Sequence, residues 1–196
     1  MTTQTTEQTP ALDARALRDA FGTYPSGVVA VAGRAQGRLV GIAASSFTSV
    51  SIDPPLVSVS VAAESNTWPL LRQSDQIGVS VLAAHHDALC RQLAGPADER
   101  FDDLAVHTTR GGAVLLDEAV AHFTCTVHDE VEAGDHVVVL LAIEGVHVED
   151  ERQPLVFHRS SFQRLHRDDL DPRRLDGRIN GEPVAAETSG GQESAA

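Results

Sequence analysis

Basic residues are scarce in this chain of 196 residues: 15 Lys and Arg stand against 28 Asp and Glu, a formal balance of −13. Binding nucleic acid takes clustered Lys and Arg to displace counterions from phosphate, so nucleic acid is excluded as the main partner. An anionic membrane surface is excluded on the same ground. Aromatic residues make up only 4% of the chain, too few for a platform on which bases stack. Cys90 and Cys125 are the only cysteines and neither sits in a CxxC. That argues against a disulfide scaffold and a structural zinc site, and favours a reducing cytoplasm. No apolar run approaches the roughly 18 residues of a membrane-spanning helix, and the start, MTTQTTEQTPALDAR, lacks the basic and apolar regions of a signal peptide.

Familiar catalytic signatures are missing as well. There is no GxSxG and no HExxH, and Gly33, Gly37 and Gly41 are not followed by the Lys-Ser/Thr of a phosphate loop. The nine histidines share no ligand spacing, so they read as surface or structural residues and no metal is expected.

What remains is 42% hydrophobic and 22% charged, a globular composition. Residues 1–10 are Thr- and Gln-rich without apolar period and are expected to be disordered. Residues 11–166 hold nearly all the hydrophobic patterning and form one domain. Residues 167–196 read as an acidic, mostly flexible tail, with one short stretch at 170–179 able to dock. Within the domain, 11–21 has helical spacing, and GVVAVA and LVGIAA flank a hairpin turn in GRAQGR. LVSVSVA (56–62) and IGVSVL (77–82) alternate, and 119–131 and 137–148 read as long strands around the turn AGDH. Short helices are expected at 67–73 and 86–93. About six strands with few short helices, and no strand–helix alternation, predict a mainly β antiparallel barrel or sandwich.

The most informative stretch is Ala43-Ala44-Ser45-Ser46-Phe47-Thr48-Ser49-Val50-Ser51-Ile52-Asp53-Pro54-Pro55. Five hydroxyls fall within seven residues after a strand, in what reads as a loop, and Asp53-Pro54-Pro55 forces an extended turn. Small residues admit a flat ligand, and hydroxyls and free N–H groups can bond its heteroatoms. A loop whose hydroxyls cap their own backbone explains the same composition.

The segment from Gly41 to Leu56 resembles the signature of the flavin reductase-like, FMN-binding split-barrel proteins, which include reductase components of two-component flavin-dependent monooxygenases. Five further segments resemble that family in the right order: Phe21-Gly22-Thr23-Tyr24-Pro25-Ser26-Gly27-Val28, Ser65-Asn66-Thr67, Asp98-Glu99-Arg100-Phe101, Ala133-Gly134-Asp135-His136, and Pro154-Leu155-Val156-Phe157-His158-Arg159. The resemblance implies an antiparallel split β-barrel with a few peripheral helices, a homodimer, and hydride transfer from NADH or NADPH to FMN or FAD, with reduced flavin passing to an oxygenase. It implies that Ala43, Ala44, Ser45, Ser46 and Phe47 line the flavin ring, although the family usually has Thr where this chain has Ala43. It implies that Ser65, Asn66 and Thr67 hold the ribityl chain or phosphate, before a helix whose N-terminus suits an anion, and that Arg100, beside Phe101, pairs with the phosphate. A plain N-cap at Ser65 or Thr67, and a solvated Arg100, are the alternatives. The same resemblance puts His136 beside the reduced nicotinamide, where it orients the carboxamide or favours the anionic reduced flavin. His158, Arg159 and Ser160 would then meet the nicotinamide cofactor. A flavin- or haem-binding barrel without turnover, and a non-catalytic interaction domain, remain as other readings.

Overall fold

Two kinds of apolar strand are visible in the sequence, and the fold accounts for both. A strand buried on one face alternates; a strand buried on both is apolar throughout. In the computed structural model, which describes residues 13–149 and 151–165 and the strand pieces 178–179 and 182–183, LVSVSVA is β5 (Leu56–Ala62), with Val57, Val59 and Val61 buried and Ser58 and Ser60 half-buried. GVVAVA instead leads into β2 (Val29–Ala35), which is buried on both sides. Val29 and Val31 enter one core with Val57, Val59, Ile77, Val79, Cys125, Val139 and Leu141. Val28 and Ala30 enter a second with Leu82, Leu93, Leu116 and Leu155.

The chain divides into a unit at Met1–Arg164 and another at Leu165–Ala196. The first opens with α1 (Ala14–Phe21), where Asp13 Oδ1 accepts the N–H groups of Arg15 and Ala16 at 2.8 Å, a side-chain N-cap. The first residues of the helix expected at 11–21 lie outside the described residues. Then follow β1 (Ser26–Gly27), β2, β3 (Arg38–Ala44), β4 (Thr48–Ser51), β5, α2 (Trp68–Leu71), β6 (Ile77–Val81), α3 (Asp87–Leu93), β7 (Val106–Thr108), β8 (Val114–Leu116), β9 (Ala121–Ala133), β10 (His136–Val148), β11 (Val156–His158) and β12 (Ser161–Gln163). The main sheet has seven strands in the order β3-β2-β6-β9-β10-β5-β4, every neighbouring pair antiparallel.

Closure follows from that order. The edge strands β3 and β4 are consecutive, joined only by Ser45, Ser46 and Phe47. In a flat sheet six spacings of about 4.8 Å would separate them by roughly 29 Å, whereas four Cα steps reach about 14 Å. The sheet therefore rolls into a split barrel. No strand ladder joins β3 to β5 at the seam; there the Ser46 hydroxyl donates to Ser60 O at 3.1 Å and accepts from Ser60 N–H at 2.9 Å. Phe47 tucks inside, its ring 5.8 Å from that of Phe123.

The Ser-rich segment is thus less of a loop than its composition predicts, because Thr48–Ser51 pairs with β5. Strands β7, β8, β11 and β12 have three residues each, too short to register a period. The hairpin turns match expectation. Gln36 and Gly37 have φ of +51° and +78° between β2 and β3, and Gly134 has φ +66° in the turn between β9 and β10, a region glycine enters without a Cβ clash. Gly41 is also required: a Cβ there would lie 2.8 Å from Ala32 Cβ, Phe101 Cζ and Val31 O. Both cysteines are free and buried. Burial pushes the Cys125 thiol up to about 12 and the Cys90 thiol above its ordinary value.

The expected disordered residues 1–10 lie outside the described residues, as does most of 167–196, including much of the proposed docking stretch. In the second unit, Arg178–Ile179 pairs antiparallel with Glu182–Pro183. Among the described residues no helix is long and apolar enough to cross a membrane.

His86 is buried, and its Nδ1 accepts the Ala83 N–H at 3.2 Å. Burial first, and the neighbouring His85 second, lower its pKa from 6.5 to about 4. The sign is that of a group kept neutral in the fold: the unfolded chain takes up the proton first, so stability is complete above pH 6.5 and declines as the pH falls toward 4. His86→Asn, whose amide oxygen can replace Nδ1, should flatten this limb of the stability–pH profile by up to about 3 kcal/mol. Urea melts of both proteins between pH 7 and 4 measure it; parallel profiles would refute the assignment.

Candidate functional site

Four segments converge at the barrel seam on a cavity of about 620 Å³, within the size range of small-molecule sites. The end of β3 and the link to β4 contribute Ala43, Ala44, Ser45 and Ser46; the turn after β5 contributes Ser65, Asn66 and Thr67; Arg100 follows α3, and His136 opens β10.

The hydroxyls divide by role. Ser45 is exposed at the wall, and its hydroxyl has no partner among the described residues. Ser46 borders the cavity, but its hydroxyl is engaged on both sides by Ser60. Ser65 Oγ accepts from Thr67 N–H at 3.3 Å and Trp68 N–H at 3.2 Å, so the capping alternative describes it. With those N–H groups occupied and α2 only four residues long, the helix-terminus argument for an anion does not hold here. The positive charge comes from Arg100.

Arg100 is not the solvated residue its acidic neighbours imply. Its Nε donates to Gly95 O at 2.9 Å, and its Nη1 to Gly41 O at 2.9 Å and Thr67 Oγ1 at 3.0 Å. No carboxylate pairs with it, and Nη2 has no acceptor among the described residues. The guanidinium is held rigid with one edge available, an arrangement suited to phosphate. Its neighbour Phe101 packs in the second core beneath Gly41 rather than on the cavity wall. Phe47 is likewise in the barrel core.

His136 Nδ1 lies 2.7 Å from Asp135 Oδ1. That hydrogen bond first, His136's charge second and Arg18's more weakly hold the Asp135 carboxyl below its usual range. The turn is docked by the Ala63 N–H, which donates to Asp135 O at 2.9 Å. Asp135 thus orients the imidazole at the cavity edge.

Arg159 and Ser160 are elsewhere. They form the β11–β12 turn, with φ of +48° and +60°, and line a separate cavity of about 370 Å³ with Arg18, Asp19, Gly22 and Thr23. The Arg159 N–H donates to Gly22 O at 2.9 Å. His158 ends β11 beside them and lines neither cavity. The sequence reading missed Ile42, Ser60, Val61, Ala62, Glu64 and Ala97, which complete the main cavity. The alternation of β5 marked Ser60 as facing away from the core; Ala97 carries no signal.

His85, His86 and Glu118 bring ligand atoms within 4.8 Å of one another. His86 Nδ1 already accepts a backbone N–H, which leaves its ring proton on Nε2, and Arg152 adds a positive charge nearby. The donor set does not fit a cation.

The flavin reductase like domain family model matches residues 21–166. The chain is 33% identical over 153 residues to a flavin reductase of Pseudomonas putida, covering 78% of this chain and 90% of that one. It is 38% identical over 156 residues to an actinorhodin polyketide dimerase of Streptomyces coelicolor, covering 79% and 88%. Among solved structures it resembles an NADH:FAD oxidoreductase of Streptomyces globisporus in complex with NAD and FAD fragments, with a TM-score of 0.75 and 32% identity, covering 80% of this chain and 94% of that one.

The two adjacent serines should separate. Ser46→Ala leaves the Ser60 N–H and C=O unpaired at the seam and should cost about 1–3 kcal/mol in denaturant unfolding. Ser45→Ala should leave stability within about 0.5 kcal/mol. Equal effects would contradict the stitch.

Proposed function

The chain belongs to the flavin reductase-like domain family, and on that premise we propose that it is an NAD(P)H-dependent flavin reductase whose cleft takes FMN or FAD and which supplies reduced flavin to an oxygenase partner. The observation that carries this reading is the convergence of an unpartnered Ser45 hydroxyl, a rigid Arg100 and an oriented His136 on one cavity of flavin-site size. When bound, the cofactors supply the chemistry, a hydride passing from nicotinamide C4 to flavin N5.

The chain's own residues position and stabilise. Ala43 and Ala44 give small walls against which a flat ring stacks. Ser45 offers a hydroxyl to a ring heteroatom, and Asn66 and Thr67 line the path to Arg100, which holds a phosphate. His136, fixed by Asp135, orients the nicotinamide carboxamide and favours negative charge on the flavin. Hydride transfer itself needs no general base, so the Asp135–His136 pair serves to orient and to place charge rather than to take a proton. In this reading Arg159 and Ser160 serve the remainder of the nicotinamide cofactor from the separate cavity, where Arg18 and Arg159 supply cations, and His158 serves it from the end of β11 beside them.

The reading includes a homodimer. No residue of α1 is buried, and Phe21, Tyr24 and Ile52 are 70%, 77% and 93% exposed, large apolar side chains that a second copy would cover. Two free buried cysteines suit the cytoplasm. Sedimentation at micromolar concentration should give the dimer mass; a monomer would remove this part of the reading.

His136→Ala should reduce kcat/KM for NAD(P)H by about ten- to a hundredfold, the value of one hydrogen bond to a charged partner, with flavin affinity nearly unchanged. Anaerobic stopped-flow reduction, with flavin titration in parallel, separates the two. Wild-type reduction at every nicotinamide concentration, or a defect wholly in flavin affinity, would remove His136 from this role. A protein that binds flavin but never oxidises NADH or NADPH would be a binding module.

A further inference from the structure

The far half of β9 inverts the usual order of burial. In residues 127–133 every residue is exposed except Glu130. Val127 and Val131 are 37% and 49% exposed, whereas the Glu130 side chain is 23% exposed. Glu130 pairs across the ladder with Val139, which is fully buried in the barrel core, and side chains directly opposite in an antiparallel pair share a face. The carboxylate is therefore aimed into the end of the barrel, a costly place for a charge without partners. Each of its oxygens has one. Oε1 accepts from the Trp68 indole Nε1–H at 3.1 Å, and Oε2 lies 3.1 Å from Arg72 Nη1. Trp68 opens α2 and Arg72 caps its C-terminus, so one carboxylate holds the helix at both ends.

A helix of four residues does not hold itself in place, and α2 follows directly on the turn that borders the cleft. Ser65 Oγ accepts from the N–H groups of Thr67 and Trp68, and Thr67 Oγ1 accepts from Arg100 Nη1 at 3.0 Å. Neither Trp68 nor Glu130 is on the cleft wall. We propose that Glu130 is a positioning residue for the phosphate grip: by holding the Trp68 indole it fixes the turn at 65–67, so that Thr67 presents Oγ1 to Arg100. The inference rests on the reading of the cleft as a flavin site with its phosphate at Arg100. The indole is a donor only and the carboxylate an acceptor only, so the contact has no second arrangement to relax into. Without it the turn shifts with α2, Thr67 moves from Arg100, and the guanidinium loses one of its three fixed acceptors. The walls at Ala43, Ala44 and Ser45 belong to other elements and stay where they are. The effect therefore falls on the phosphate of the flavin and spares its ring.

Titration of the full-length protein with FMN and with riboflavin, which lacks the phosphate, tests the assignment. The wild type should bind FMN about tenfold or more tighter than riboflavin. Glu130→Ala should weaken FMN by about fivefold or more and riboflavin by no more than about twofold, raising the KM for FMN with kcat at saturating flavin retained. Glu130→Gln, whose amide oxygen still accepts from the indole, should stay within about twofold of the wild type. Trp68→Phe keeps an aromatic ring in the core and removes the donor. It should reproduce Glu130→Ala, add nothing when combined with it, and carry the test alone where Glu130→Ala fails to fold. Unchanged FMN affinity, or a parallel loss of FMN and riboflavin, would overturn the proposal, as would a loss in Glu130→Gln equal to that in Glu130→Ala. A wild type that binds neither compound, or both equally, would instead overturn the reading beneath it.

Discussion

Three residues between the two edge strands of a seven-stranded sheet are the constraint on which the rest of this structure depends. A link that short forces the sheet to roll, and rolling brings the end of β3 against β5, where a strand ladder is absent. Ser46 supplies the missing pair of hydrogen bonds through its side chain. The opening left beside this stitch is the cleft, so barrel closure and ligand cavity are made by the same few residues. The small side chains there meet two demands together: the seam must be narrow, and a planar ligand must approach the backbone.

The second core has its own role in the site. Because β2 is buried on both faces, α3 and β8 pack outside the barrel, and the segment after α3 carries Arg100 back to the rim. Gly41 lets Phe101 close against the strand, and its carbonyl accepts from Arg100. The charge in the cleft is therefore set by packing some distance from it, with little side-chain freedom left to lose when a ligand arrives.

Much of this was legible in the sequence. The long strands on either side of Ala133-Gly134-Asp135-His136, the hairpin at Gln36-Gly37 and the helix near Asp87 followed from periodicity and turn chemistry, with ends shifted by a residue or two. The cleft residues Ala43 to Ser46, Ser65 to Thr67, Arg100 and His136 were each visible as a motif. The division of labour among them was not. Whether a serine faces a ligand or ties a backbone depends on which strand lies opposite, and Ser45 and Ser46 are indistinguishable until β5 is placed. The same holds for Arg159 and Ser160, whose cavity is formed by the end of α1, more than a hundred residues away in the chain. The three-residue strands carry too few positions to show any alternation.

The two buried cysteines take on a different meaning in this setting. Free reduced flavin reacts with dioxygen and yields hydrogen peroxide, so a flavin reductase works beside a source of oxidant. Peroxide attacks thiolate rather than thiol. With Cys125 enclosed in the barrel and its thiol pushed up to about 12, and Cys90 also raised by burial, neither sulfur presents a nucleophile at neutral pH. The packing that holds the barrel together thus also makes its sulfur inert to the by-product of its own reaction.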